Sequence, residues 1–156
     1  MHESTDNTKS RSRRSIMREV IFKVLFSFDT NRKEDTKTVS MMITELFSEE
    51  DIYNKPLVHE AEEYVFDEVK KQDEIDEIIQ RYLFNWNWKR VSAVDRNILR
   101  LGVYELIYKK NIPIEVTLNE AVEIAKKYGT DKSSKFVNGI LDAVSKEMVP
   151  KEKQLL

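Results

Sequence analysis

The sequence has no cysteine, only three glycines, three prolines and two histidines in 156 residues. Without cysteine there are no disulfides, no thiolate metal ligands and no cysteine nucleophile, and the absence fits a reducing compartment. So few chain breakers favour long helices joined by short turns. His2 and His59 have no partner at metal-ligand spacing. No apolar run approaches the ~18 residues that span a bilayer, and no signal-type stretch follows the N-terminus, so a cytoplasmic protein is expected. Glycine-rich phosphate loops and dinucleotide fingerprints are absent too. With 28 acidic residues, chance carboxylate pairs are inevitable, and no general acid/base pair stands out from surface charge. No metal, cofactor or catalytic residue is assigned.

What remains is 40% apolar and 35% charged, enough for one core under a heavily charged surface. The net charge of −2 is unevenly spread. Lys9, Arg11, Arg13, Arg14 and Arg18 form a run of five cations without an acid, leaving the rest of the chain at −7. A basic end on an acidic body suits a nucleic-acid-contacting arm, and equally a solvated tail.

Hydrophobic periodicity predicts helices throughout and no strand. Residues 1–12 read as a flexible basic arm, 13–150 as one helical domain and 151–156 as a charged tail. Met17, Ile21, Val24, Leu25 and Phe28 repeat at helical spacing from Arg13 to about Asp29–Asn31. Further helices are expected over Thr38–Phe47 and over Val58–Lys71, with Ala61, Tyr64, Val65 and Val69 inward. Asp73 is placed to cap the next helix, whose stripe is Ile75, Ile78, Ile79, Tyr82, Leu83 and Trp86. The aromatic cluster Tyr82–Trp88 suits ligand stacking or the core, and its helical spacing favours the core.

Ser92 and Asp95 make a capping box before a largely apolar helix in which Gly102 implies close packing. Thr117 and Glu120 make a second box, Gly129 is a helix stop, and a last helix runs over about Lys132–Glu147.

Two segments carry nucleic-acid character. Arg14 and Arg18 lie one helical turn apart, and Arg18, Phe22 and Phe26 share one line. Cations beside exposed rings grip phosphates while bases stack, although Phe22 and Phe26 can also widen the core face. Lys132, Lys135 and Phe136, with Ser133 and Ser134, open a helix where free N–H groups attract phosphate. Phe136 suits either stacking or the core.

The stretches RSRRSIMREVIFKVLFSFD (Arg11–Asp29), DRNILRLGVYEL (Asp95–Leu106), IPIEVTLNEAVEIAKKYGT (Ile112–Thr130) and SSKFVNGILD (Ser133–Asp142) occur in one order and spacing. In these the chain resembles the NusB family of bacterial transcription antitermination factors, from about Arg13 to Pro150. The resemblance implies an all-α NusB-type fold of about seven helices in two packed subdomains. It implies no catalysis, and binding to boxA RNA in nascent ribosomal RNA leaders together with NusE, a small-ribosomal-subunit protein. The pair would keep RNA polymerase elongating, through other Nus factors.

By the same resemblance the RNA contacts are Arg11, Arg13, Arg14, Arg18, Phe26, Lys132, Lys135 and Phe136. Asp95 and Arg100 match positions near the RNA and NusE surfaces. Phe26 stands where the family often has tyrosine, and Lys132 where some relatives carry an acid. Monomers and homodimers both occur in the family. Similar domains also front ribosomal RNA cytosine methyltransferases, which need a catalytic cysteine. A helical protein-interaction module without an RNA role is the third reading.

Overall fold

The computed structural model describes residues 11–30, 35–84 and 86–156. The expected flexible arm lies, apart from Arg11 and Ser12, outside the described residues, as does Asn31. Among the described residues there are eight α-helices, one 3-10 turn and no strand. They are α1 (Arg13–Thr30), α2 (Thr36–Ser48), α3 (Lys55–Lys70), α4 (Gln72–Arg81), α5 (Ala93–Tyr108), α6 (Ile114–Tyr128), α7 (Ser133–Met148) and α8 (Lys151–Gln154), with the 3-10 turn at Trp88–Arg90. None is long and apolar enough to cross a membrane.

Helices α1, α2 and α3 pack on one another, and α5, α6 and α7 form a second group. The long α1 joins the groups by lying against α5, and α4 packs on α5 as well. Met17, Ile21, Val24 and Leu25 are the buried stripe of α1, as their spacing predicts. Helix α5 is buried over most of its circumference. At Gly102 a Cβ would lie 2.7 and 2.8 Å from the two Leu141 methyls, so glycine lets α7 approach α5.

Several local expectations change. Val69 is exposed, and Glu68 points inward instead. The reason is periodicity: Ala61, Tyr64, Val65 and Glu68 follow the i, i+3, i+4, i+7 stripe. Helices α3 and α4 abut at Lys71, which caps both, so Asp73 falls inside the first turn of α4. There it complements the helix dipole rather than capping. Helix α4 ends at Arg81, and the apolar stripe is lost after Leu83. Phe84 turns the chain with φ +53°, and Phe84 and Trp86 project outward while Tyr82 and Leu83 stay buried.

Ser92 does cap α5, its Oγ accepting from Asp95 N–H at 3.1 Å. Pro113, not Thr117, precedes α6, because its fixed φ starts the helix four residues earlier. Gly129 ends α6, with extended rather than left-handed backbone. The tail docks. Lys153 is buried and its Nζ donates to the carbonyls of Glu105 (2.7 Å), Leu106 (3.1 Å) and Lys109 (2.8 Å), closing the end of α5.

Glu68 is fully buried and neither carboxyl oxygen has a hydrogen-bond partner. Burial pushes its pKa up to about 8; the charge of Arg100 opposes this, while Asp76 and Asp29 reinforce it. The folded form therefore keeps a proton that the unfolded chain loses near its ordinary pKa of 4.5. Its contribution to stability is complete below that pH and is lost as pH rises toward 8. Glu68→Gln is expected to flatten this decline, because the amide does not ionise in this range. Urea denaturation at acid, neutral and mildly alkaline pH measures it, and parallel profiles for both proteins would refute it.

Candidate nucleic-acid interface

The first turn of α1 carries the basic run into the fold, and its cations divide by exposure. Arg13 is exposed and, like Lys132 and Lys135, forms no ion pair among the described residues. Arg14 is exposed but paired with Glu60 of α3, a hydrogen bond that raises its pKa above the ordinary arginine value. Arg11 pairs with Glu19. The Arg14–Glu60 pair is exposed and worth little, so a phosphate can displace that carboxylate at small cost, whereas Arg11 holds a carboxylate that is only 7% exposed.

Arg18 leaves the interface. It is 5% exposed, and its Nε donates to Glu105 Oε2 at 2.7 Å. Burial works against its charge, but the Glu105 carboxylate more than compensates, so its pKa is raised. Glu105 also accepts from the Tyr64 hydroxyl (2.6 Å) and the Thr117 hydroxyl (2.5 Å). One buried carboxylate thus ties α1, α3, α5 and α6 together. The capping role expected of Thr117 is replaced by this contact.

Arg100 is likewise internal. It is buried, with Nε and Nη2 each 2.8 Å from the two Asp76 oxygens and Nη1 3.1 Å from Asp29. Such a bidentate, desolvated pair holds α5 to α4 and α1 and leaves nothing for a ligand. The guanidinium groups of Arg96 and Arg100 stack over Trp88 at 5.4 and 5.7 Å. Asp95 is half-buried in the first turn of α5 with Oδ1 unpartnered.

Of the rings on α1, Phe22 is 3% exposed and belongs to the core, whereas Phe26 is 39% exposed. Their centroids are 6.1 Å apart. At the start of α7, Lys132 and Lys135 are exposed and Phe136 is half-buried. Ser133 is buried, its Oγ accepting from Thr130 N–H at 3.0 Å, so only Ser134 of the two hydroxyls faces outward. Lys132 offers α7 no side-chain cap. The Ser134 and Lys135 amides therefore stay open to an anion, while Phe136 N–H is taken by the Lys132 carbonyl at 3.1 Å.

Tyr128 brings the two segments toward each other. It ends α6 with its ring 5.4 Å from Phe22, its hydroxyl on Glu19 and the Lys23 ammonium 5.7 Å away. The Tyr128 contact fixes one end of the four-residue step to Lys132, which spans at most about 14 Å. Glu19 also takes Lys127 at 2.8 Å. Its own burial would raise its pKa, but the bonds from Lys127 and Tyr128 and the Arg11 charge hold it below the usual carboxylate range.

Sequence patterning puts Tyr128 on the inward stripe of α6 with Ala121, Ile124 and Ala125, so it reads as core rather than as a link between the two segments. It puts Trp86 at the end of the α4 stripe, yet Trp86 is 63% exposed and meets Phe136 edge-on at 5.5 Å. The early end of α4, set by the turn at Phe84, is the signal for Trp86.

The sequence profile of the NusB family matches residues 15–146. The chain is 44% identical over 144 residues to the transcription antitermination protein NusB of Fervidobacterium nodosum, covering 91% of this chain and 96% of that one. To the protein of the same name from Pseudothermotoga lettingae it is 46% identical, covering 93% and 99%. Among solved structures, T. maritima NusB superimposes with a TM-score of 0.82 at 46% identity, covering 94% of this chain and 99% of that one. A chain from a complex of the antitermination factors NusB and NusE with double-stranded RNA gives 0.73 at 34% identity, covering 85% and 96%. This chain belongs to the NusB family.

Proposed function

We propose that this protein is a transcription antitermination factor of the cytoplasm that binds RNA without catalysing a reaction. Its RNA is the boxA element of nascent ribosomal RNA leaders, taken jointly with NusE. Through other Nus factors the pair supports processive elongation by RNA polymerase. The observation that carries the RNA reading is the pairing of unpartnered cations with accessible rings. Lys132 and Lys135 stand beside Phe136 at the start of α7, while α1 adds the exposed Arg13 in its first turn and, about three and a half turns farther along, the exposed ring of Phe26. Cations placed next to rings suit unpaired bases, whose faces are free to stack. The related complex of NusB and NusE with double-stranded RNA supports RNA as the ligand class and NusE as the partner; the preference for unpaired bases rests on the rings.

A gel-shift titration with purified protein tests the reading, with and without NusE, on a single-stranded boxA RNA, a scrambled RNA and a boxA duplex. The single-stranded boxA RNA is expected to bind at least tenfold more tightly than the scrambled one when NusE is present. Equal affinity for the two would refute boxA recognition, and preference for the duplex would refute stacking on unpaired bases.

A further inference from the structure

The loop between α4 and α5 exposes two large aromatic side chains. Phe84 is 84% exposed and Trp86 is 63% exposed. Phe84 holds a left-handed backbone conformation that is disfavoured for a bulky residue, and its exposed ring gains no packing in return. Trp86 is anchored on one side only, its ring meeting Phe136 of α7 at 5.5 Å and 62°. The loop is also basic. From Ile78 to Val94 the sequence has Arg81, Lys89 and Arg90 and no acid. Lys89 and Arg90 are both exposed in the 3-10 turn that follows Trp86.

We propose that Trp86, with Phe84 beside it, is a further stacking platform for single-stranded RNA, with Lys89 and Arg90 as its phosphate partners. It continues the surface that starts at Lys135 and Phe136, because Trp86 and Phe136 touch. An RNA that passes Phe136 then meets a second ring and two more cations. This inference rests on the RNA reading above. A polyanion is favoured over a protein partner because every charge in the stretch from Ile78 to Val94, which carries both rings, is positive. Bases stack on such rings with little regard to sequence. The loop therefore adds affinity and site length rather than boxA selectivity.

The test compares wild type with Trp86→Ala, Trp86→Phe and Phe84→Ala on a single-stranded RNA that extends past the boxA element at both ends. Thermal melting checks that each variant keeps its fold, which the exposure of both rings predicts. Trp86→Ala is expected to weaken binding roughly 5- to 140-fold, the range of one lost base stack. Trp86→Phe keeps a ring and is expected to stay within about threefold of wild type. RNA quenching of tryptophan fluorescence is expected in wild type and largely lost in Trp86→Phe, where only Trp88 reports.

If wild type binds and Trp86→Ala binds equally well, the platform is refuted while the RNA reading stands. If wild type binds none of the RNAs, that reading fails and this inference with it. If Trp86→Ala loses affinity for NusE alone, the loop is a protein surface and the inference is overturned.

Discussion

Glu105→Ala is expected to destabilise the protein by about 3–5 kcal/mol, the usual cost of leaving one partner of a buried ion pair uncompensated. Glu105 is 1% exposed and takes three hydrogen bonds, from Arg18, Tyr64 and Thr117. Removing it strands the Arg18 guanidinium and two hydroxyls between four helices. The loss is a large share of the roughly 5–15 kcal/mol that holds a domain of this size together. Urea denaturation measures it. The double variant Arg18→Met/Glu105→Leu is expected to recover most of the loss, since apolar groups of similar volume often replace a buried pair without penalty. Arg14→Ala, which breaks the exposed pair with Glu60, is expected to cost less than 1 kcal/mol. A loss of that small size at Glu105 would mean that the pair does not hold the two helical groups together.

The second large effect is on RNA. Arg13→Ala/Lys132→Ala/Lys135→Ala is expected to weaken single-stranded RNA binding about a hundredfold near 0.1 M salt. For single strands each phosphate contact contributes about 0.7 to the log–log salt slope, so three contacts contribute about 2.1. Taking their effect as zero at 1 M salt, about two decades of affinity disappear at 0.1 M. None of the three forms an ion pair among the described residues. Stability is therefore expected to change little, and fluorescence anisotropy on a labelled RNA reads the binding loss cleanly.

The helices are legible in the sequence because each presents an apolar stripe at one period, as Met17, Ile21, Val24 and Leu25 do on α1. The stop at Gly129 and the Ser92 cap are legible for similarly local reasons. Site membership is harder to read, since it depends on which helix crosses which. Arg14 and Arg18 look alike in sequence, yet one meets solvent and the other meets Glu105, 87 positions away. Arg100 is taken by Asp76 and Asp29 in the same way. Patterning that scores charge as exposed places Glu68 and Lys153 outside, although both are buried. The aromatics mislead in the other direction. Tyr82 and Leu83 obey the stripe, and Trp86 escapes it only because α4 stops at Arg81. Arg13, Lys132 and Lys135, cations that the sequence offers as RNA contacts, are exposed.

The central claim is that cations from two separate helix starts grip one RNA backbone. The salt dependence of binding, measured for wild type and for the triple variant on the same RNA, tests it most directly. The account predicts that the log–log slope of the triple variant is shallower by about 2. Identical slopes, with or without a difference in affinity, would show that these three side chains touch no phosphate and would contradict it.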